Sequence, residues 1–224
     1  MSKDATSSRP PKALKKAKRL TAHGVTRSDD YFWLNDRNDP RVLSYLRAEN
    51  VYTEGVLGPW SELRQTLLDE MAARIVPDES SVPYRDGNYE YYRRYEKGRE
   101  YPIYCRKVAA SGATEEVLLD ANLLAEPHDY FALRGFTPAP DHRLVAFAVD
   151  TQGRRFYTIR FLDLGTGELL EEQISDVTSD FEWFNDSKTL LYVRQHRSSL
   201  RDYQVLRHTL GSTQDDLIYE EADE

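Results

Sequence analysis

The segment PAPDHRLVAFAVDTQGRRFYTIRFLDLGTGELLEEQI, Pro138 to Ile174, decides the fold of this chain. Its apolar residues alternate with polar ones in short runs, and a period of two is typical of strands with one buried face. Asp141 begins a turn before the first run, and Gly165 and Gly167 turn the chain between the last two. With an apolar run just upstream, the segment predicts a four-stranded antiparallel sheet. The predicted strands are Leu133–Phe136, Leu144–Val149, Phe156–Leu164 and Leu169–Ile174.

The same plan recurs on both sides of this segment. Asp86, Asp141 and Asp186 each precede an alternating run, and they lie 55 and 45 residues apart. Because a four-stranded β-propeller blade takes roughly 40 to 50 residues, the repeat predicts three consecutive blades. A plain antiparallel meander with similar spacing is the alternative. A tyrosine follows each aspartate after 15, 16 or 17 residues, at Tyr101, Tyr157 and Tyr203.

Aligning the repeats on these tyrosines predicts which positions are buried. An apolar residue stands two residues after each tyrosine, and another stands seven residues after it. Since side chains alternate between the faces of a strand, we expect the same buried face in all three repeats. The first set is Ile103, Ile159 and Val205, and the second set is Val108, Leu164 and Leu210.

Charge is divided unevenly along the 224 residues, whose net charge is −8. Residues 1–28 hold eight Lys or Arg against one Asp, so the rest of the chain carries −15. Such an acidic body repels nucleic acid and attracts cationic ligands, including basic peptides. The basic run Lys12–Arg19 could contact nucleic acid or anionic lipid, but a solvated terminal arm is commoner. We therefore expect no nucleic-acid partner and no membrane partner.

The sequence also favours a cytoplasmic location. No run of about 18 apolar residues occurs, which excludes a transmembrane helix, and the N-terminus lacks the apolar centre of a secretory signal. The single cysteine, Cys105, cannot form an internal disulfide, which agrees with a reducing compartment. It shares a predicted strand face with Ile103, so we expect a small buried side chain and not a reactive thiol.

The composition divides the chain into three parts. The Ser-, Pro- and Lys-rich start predicts a disordered basic tail, and helical periodicity then stops near Pro77. The fold class is therefore mainly β: a partial, three-blade β-propeller preceded by an N-terminal helical arm. The predicted ranges are 1–20 for the tail, 21–76 for the arm and 77–224 for the incomplete propeller, with blades at about 78–124, 125–176 and 177–224.

The arm is predicted to contain a compact loop and two helices. The loop spans residues 23–40, and Asp39 before Pro40 begins a helix that should end near Val56. Gly58 and Pro59 break it, and a second helix begins near Trp60. Leu43 and Leu46 of the first helix can cover only part of the second helix's apolar stripe, so we infer a partner surface outside the arm. The stripe consists of Trp60, Leu63, Leu67, Met71 and Ile75.

Three blades do not close a propeller, which typically needs four to eight. The first and last blades would expose strand edges and apolar faces to water. We therefore expect either a fragment of a longer protein or closure by oligomerisation.

The stretch from Arg9 to Asn50 resembles the N-terminal signature of the prolyl oligopeptidase family of serine peptidases, in particular its oligopeptidase B branch. The likeness continues through residues 91–107 and through the two later blades, and it covers roughly residue 10 to the end. The matching arm positions are His23, Gly24, Arg27, Asp30, Tyr31, Trp33, Leu34, Asp36, Val42, Tyr45, Leu46, Glu49 and Asn50.

This resemblance implies a seven-bladed propeller over an α/β-hydrolase domain, on which the arm packs. It implies hydrolysis of short peptides after Arg or Lys by a Ser, Asp and His triad that belongs entirely to the hydrolase domain. The missing hydrolase domain and short basic peptides are then the expected partners. Catalytic residues in this chain are expected to be none, and the chain alone is expected to be inactive.

Apart from this resemblance, the residues themselves contain no catalytic or cofactor motif. The nucleophile elbow Gly-x-Ser-x-Gly is absent. His196 with Ser198 and Ser199 is the nearest cluster, but a hairpin loop is favoured over a catalytic group, and His23 is expected to be structural. The five histidines show no metal-site spacing and no phosphate-binding glycine loop occurs, so we expect no metal and no cofactor.

Two other patterns are interpreted as surface features. The adjacent acids Asp29 with Asp30, and Asp215 with Asp216, should diverge into solvent as loop residues. The aromatic and arginine residues between Tyr89 and Tyr95 could stack on bases, but an exposed sheet surface is favoured in an acidic body.

The leading hypothesis is the N-terminal and propeller part of an oligopeptidase B-like serine endopeptidase. The alternative is a non-catalytic β-propeller interaction module that recruits a partner or a second copy through its exposed blades. A nucleic-acid-binding arm fused to a β domain is a third possibility, which salt-sensitive retention of DNA or RNA would reveal.

Overall fold

A computed structural model describes residues 9–223 and divides the chain into two compact units, Met1–Val76 and Pro77–Glu224. The first is helical with a small hairpin, and the second holds three four-stranded sheets. The first eight residues of the predicted tail lie outside the described part. In residues 9–223, no helix is long and apolar enough to span a membrane.

The first unit opens with a hairpin of β1 (Lys18–Ala22) and β2 (Val25–Asp29). His23 and Gly24 form its turn with φ of 50° and 75°, which is the left-handed pair that a two-residue hairpin turn requires. The sequence predicted a tail as far as residue 20 and then a loop. The strands were missed because their side chains are mostly exposed on both faces and show no apolar alternation.

Helix α1 (Pro40–Leu57) begins where predicted. Asp39 Oδ1 accepts a hydrogen bond from the backbone N–H of Arg41 at 2.8 Å, and Pro40 occupies the first helical position. A short 3₁₀ turn (Gly58–Trp60) separates α1 from α2 (Ser61–Ala72), and another 3₁₀ turn spans Phe32–Asn35. Ile75 lies beyond the end of α2. The stripe predicted to need a partner is exposed at Trp60, Leu63, Leu67, Met71 and Ile75.

The second unit contains three sheets, each an antiparallel meander with its strands in chain order. The first sheet is followed by a short helix, α3 (Ala121–Ala125), which the sequence analysis did not predict. The predicted fold class, mainly β with an N-terminal helical arm, is confirmed. The strands are β3 (Tyr84–Asp86), β4 (Tyr89–Arg94), β5 (Ile103–Val108) and β6 (Glu116–Asp120); β7 (Ala132–Pro138), β8 (Leu144–Asp150), β9 (Tyr157–Asp163) and β10 (Glu168–Val177); and β11 (Phe181–Trp183), β12 (Thr189–Gln195), β13 (Asp202–Thr209) and β14 (Asp216–Glu220).

The three repeat aspartates all lie where the first two strands of a sheet are connected: Asp86 is the last residue of β3, and Asp141 and Asp186 lie in the turns themselves. The residue after each one has a positive φ: 54° at Gly87, 59° at His142 and 57° at Ser187. Asp141 and Asp186 accept backbone N–H groups two residues later at 3.0 Å, which closes the turn. The repeated aspartate thus marks a repeated left-handed turn.

The core lies between neighbouring sheets. One cluster joins the second and third sheets through Phe161, Leu190 and Tyr192, and another joins the first and second through Leu119 and Phe147. The faces that two neighbouring sheets turn toward each other are therefore buried, as in stacked propeller blades.

Two burial predictions were wrong. Val108 is 51% exposed. It stands five positions after Ile103, and an odd spacing along a strand places two side chains on opposite faces. In the third sheet Leu206, and not Val205, is buried. Leu206 pairs with Tyr192 just as Ile159 pairs with Ala148, so the tyrosine alignment was one residue out of register there.

Candidate functional site

A cleft of about 380 Å³ lies between the first and second sheets. Strands β4 and β5 form one wall and β7 forms the other. The rings of Tyr104 and Phe136 stack across it with centroids 4.2 Å apart and planes at 16°. Tyr84 and Tyr91 make a second stacked pair, at 5.7 Å, along the same cleft. The walls are therefore largely aromatic.

Two arginines also line this cleft. Arg93 pairs directly with Tyr104 across β4 and β5, so the two side chains share one face. Burial raises the pKa of the Tyr104 phenol, and the positive charges of Arg93 and Arg134 oppose that shift. Arg93 lines the cleft from β4 and Arg134 lines it from β7. Within residues 9–223, neither arginine forms an ion pair with a carboxylate.

A β-bulge positions Arg134. Between Arg134 and Thr137 the pairing of β7 with β8 gains one residue, and Gly135 there has a φ of 60°. A Cβ on Gly135 would lie 2.7 Å from the Phe181 ring and 2.9 Å from the Ser179 carbonyl of the next sheet. Close packing by the third sheet therefore holds the bulge in place.

A different arginine on β5, Arg106, shows the opposite environment. It is buried, its Nε donates to Glu116 Oε2 at 2.7 Å, and its guanidinium covers the Tyr89 ring at 4.3 Å. It also donates to the His142 carbonyl of the second sheet at 2.9 Å. This arginine is fully engaged in holding two sheets together.

The aromatic and basic run from Tyr89 to Tyr95 follows β4, as the sheet interpretation expected. The Tyr92 hydroxyl donates to Glu115 at 2.6 Å, and Arg94 pairs with Glu96 and Glu115. Arg93 and Arg94 lie in adjacent positions and therefore point to opposite faces. Arg93 lines the cleft and Arg94 does not.

Among the predicted candidates, the structure does bring His196, Ser198 and Ser199 together. Both serine hydroxyls lie 3.1–3.2 Å from His196 Nδ1. All three are exposed in the loop between β12 and β13, which agrees with the hairpin-loop interpretation. His23 occupies the β1–β2 turn, and its structural role stays a prediction.

Cys105 is 1% exposed, and burial raises the pKa of its thiol to about 11. The prediction of a small buried side chain is confirmed. In the part of the chain that the structure describes, no three His, Cys, Asp or Glu side chains are grouped as metal ligands.

The two pairs of adjacent acids lie in different environments. Asp29 accepts the Tyr31 N–H and Asp30 pairs with Lys15, so these two diverge as predicted. Asp215 does not point into solvent: it accepts from the Tyr192 hydroxyl at 2.5 Å and lies 2.6 Å from His208 Nδ1. That prediction was wrong, because only the fold brings β12 and β13 alongside this loop.

His208 joins the second and third sheets. The residue is 5% exposed, its Nδ1 faces Asp215, and its Nε2 lies 3.0 Å from Glu172 Oε1 on β10. Both ring nitrogens therefore face carboxylate oxygens. Glu172 also accepts the Gly211 N–H at 2.9 Å, so the contact ties a strand of one sheet to a turn of the next.

The second unit consists of three meandering sheets packed face to face, and a left-handed turn or a bulge recurs in each of them. This arrangement defines the unit as part of a β-propeller domain. The chain belongs to the prolyl oligopeptidase family: residues 10–224 match the family described as prolyl oligopeptidase, N-terminal β-propeller domain. It corresponds to the N-terminal propeller part of these peptidases.

Similar proteins support this assignment over nearly the whole chain. The dipeptidyl aminopeptidase BI of Pseudoxanthomonas mexicana is 40% identical over 98% of this chain, and protease 2 of Moraxella lacunata is 39% identical over 90%. The structure of oligopeptidase B from Leishmania major superposes with a TM-score of 0.88 at 34% identity over 97% of this chain. The chain spans about a third of the length of each, at 33%, 30% and 33% respectively.

Proposed function

We propose that this chain is the N-terminal arm and first three blades of an oligopeptidase B-like serine endopeptidase that cleaves short peptides after Arg or Lys. In this proposal a hydrolase domain outside this chain supplies the Ser, Asp and His triad, and the whole acts in the cytoplasm. The match of residues 10–224 to the family's propeller domain carries the proposal. The likeness to oligopeptidase B favours that branch.

The role proposed for this part is to restrict access. A propeller in front of a buried site admits short, flexible peptides and excludes folded proteins. The acidic body, which carries −15 outside residues 1–28, would attract basic peptides to the assembly. The exposed stripe of α2 is proposed to pack on the hydrolase domain, since a largely exposed apolar face on a helix favours burial against a partner.

A peptidase assay tests the proposal. The purified 224-residue chain should release no product from a short chromogenic peptide ending in Arg, whereas the product of a reading frame extended past Glu224 should do so. Replacing the elbow serine of the extended protein by Ala is the matched control and should abolish turnover. Activity of the 224-residue chain that survives repurification would contradict the proposal.

One observation favours a second function, a non-catalytic interaction module. The third sheet exposes Leu217, Ile218 and Tyr219 by 52–55% on its last strand, β14. Light scattering distinguishes the two functions. A discrete soluble dimer that melts cooperatively supports the module, and heterogeneous aggregation supports a part of a larger enzyme.

A further inference from the structure

The cleft between the first two sheets concentrates positive charge in an otherwise acidic molecule. Its Arg93 and Arg134 are exposed, and in the described chain neither has a carboxylate partner. The acids near this sheet are already used elsewhere, since Glu115 binds Tyr92 and Arg94, and Glu116 binds Arg106. The cleft is thus lined by two arginines that have no ion-pair partner among residues 9–223.

Their positions are fixed on both walls. Arg93 is held by its register opposite Tyr104, and Arg134 is held by the Gly135 bulge that Phe181 and the Ser179 carbonyl enclose. Side chains placed by strand register and by a packed bulge are more preorganised than those of a loop. Both arginines line the same cleft, and Arg93 lies opposite Tyr104, whose ring stacks on Phe136 two residues after Arg134. Both therefore lie next to the stacked Tyr104–Phe136 pair.

The chemistry of this part of the cleft is specific. A guanidinium group presents parallel N–H donors that match the two oxygens of a carboxylate, and two such groups next to a phenol hydroxyl make a strong anion site. The stacked rings of Tyr104 and Phe136 give an apolar wall beside it. The described residues that line the cleft include no Asp or Glu, so no carboxylate of the lining neutralises the pair.

We propose that this cleft binds a peptide carboxylate, with Arg93 and Arg134 as its ion-pair partners and the Tyr104–Phe136 wall beside the adjoining side chain. The peptide nature of the ligand rests on the proposed function. In this arrangement the propeller holds a peptide by an anionic group, while basic residues of the same peptide are drawn by the acidic body. The favoured group is the C-terminal carboxylate, because every short peptide carries one.

Three synthetic probes identify the carboxylate. Acetyl-Gly-Gly-Phe has a free C-terminal carboxylate, its C-terminal amide has none, and acetyl-Gly-Glu-Phe amide carries only a side-chain carboxylate. Titration of the 224-residue chain by NMR or calorimetry should show saturable binding of the first probe. The amide should bind at least about tenfold more weakly, as expected for loss of a charge-assisted hydrogen-bonded pair.

Variants locate the site. Arg93→Gln and Arg134→Gln should each weaken binding of the free acid at least about fivefold, and Arg93→Lys should lose less because it keeps the charge but not the paired donors. Arg154→Gln is the matched control, since Arg154 is also exposed but lies in the β8–β9 loop away from the cleft. Unchanged thermal melting of each variant shows that the fold is retained.

Several outcomes overturn the proposal. Equal binding of the acid and the amide, no saturable binding at millimolar peptide, or equal loss in Arg154→Gln would each do so. Preferential binding of the Glu probe would keep the site but assign it to acidic side chains. Since binding is measured without turnover, a failed peptidase assay leaves this result intact, and failed binding leaves the peptidase proposal intact.

Discussion

At the scale of single residues, buried polar contacts join neighbouring blades in addition to apolar packing. His208 is the clearest case, because two carboxylates from different segments face its two ring nitrogens. The ring contacts both carboxylates at once because its two nitrogens lie on different edges of the imidazole. Removing the ring would leave two partly buried acids facing each other.

The first prediction concerns this histidine. His208→Ala should lower the free energy of unfolding by about 2 kcal/mol or more, because it empties a buried position and removes one partner from each of two partly buried carboxylates. Arg207→Ala on the same strand is the control: its pair with Asp216 is exposed by 46% and 65%, and such pairs contribute about 0–1 kcal/mol. Urea denaturation measures both. An equal loss of unfolding free energy in the two variants would show that the His208 contact stabilises the fold no more than an exposed ion pair does.

A second prediction follows from the buried thiol. Because burial raises the pKa of Cys105 to about 11 and the side chain is 1% exposed, the thiolate is scarce and inaccessible at pH 8. Ellman's reagent should label the folded chain very slowly and should label one equivalent rapidly in urea. Rapid labelling without denaturant would contradict this account of the site.

The start of α1 gives a pH prediction. Hydrogen bonds from Arg41 lower the pKa of Asp39 from 3.8 to about 2. A lowered carboxyl pKa means that the capping contribution is complete above pH 3.8 and is lost as the pH falls toward 2. Asp39→Asn keeps a capping oxygen but does not titrate, so its helical circular dichroism should change less over that interval. Parallel curves for the two proteins would exclude a role for this carboxylate.

At the scale of elements, the backbone conformation of one glycine, Gly135, determines the course of strand β7. The β7 bulge exists because Gly135 adopts a φ of 60° in a space that admits no Cβ. Since β7 carries both Arg134 and Phe136, the bulge decides the shape of one cleft wall as well as the contact with the third sheet.

The corresponding prediction uses two glycines with similar backbone strain. Gly135→Ala should cost about 1–3 kcal/mol more than Gly167→Ala, because both have a positive φ but only Gly135 is enclosed by Phe181 and a backbone carbonyl. Thermal unfolding compares them. If the two variants melted alike, the close approach seen at Gly135 would have no energetic weight.

At the scale of the whole molecule, the second unit exposes apolar side chains on sheets that elsewhere bury theirs. Tyr84 on the first sheet and Val82 just before it are 51% and 89% exposed, and Leu217 and Ile218 on the third sheet are 52% and 53% exposed. Exposed sheet faces and edges of this kind favour self-association.

We therefore expect the chain to associate with rising concentration in sedimentation velocity experiments. Ile218→Lys should reduce this association, whereas Leu123→Lys, at a position 59% exposed on the short helix α3, should leave it largely unchanged. A monomer at all concentrations, or equal effects of both lysines, would mean that the β14 face does not drive association.

Much of the fold was predictable because it depends on local patterns. Asp39 before Pro40 began α1, and the repeated aspartates located three left-handed turns. The β1–β2 hairpin was not predictable from alternation, because its strands expose both faces. The burial of Leu206 required the strand register, which the spacing of tyrosines misjudged by one residue.

The candidate site was less predictable. Nothing local distinguishes Arg93, which lies on the cleft, from Arg94, which is paired with two acids. Arg134 lines the same cleft as Arg93, but it lies on another sheet, some 40 residues later in the chain. A weak signal was available in hindsight, namely Gly135 inside an otherwise continuous strand, which suggests a bulge.

The sequence by itself determined the sheet repeat, the turns, the start of the helices and the family, because these depend on side-chain alternation and on residues near one another in the chain. Only the tertiary structure decided which polar groups are paired, which strand face is buried and which arginines share a cleft. Those properties depend on contacts between sheets, and a contact between distant segments is set by register and packing that no local pattern records.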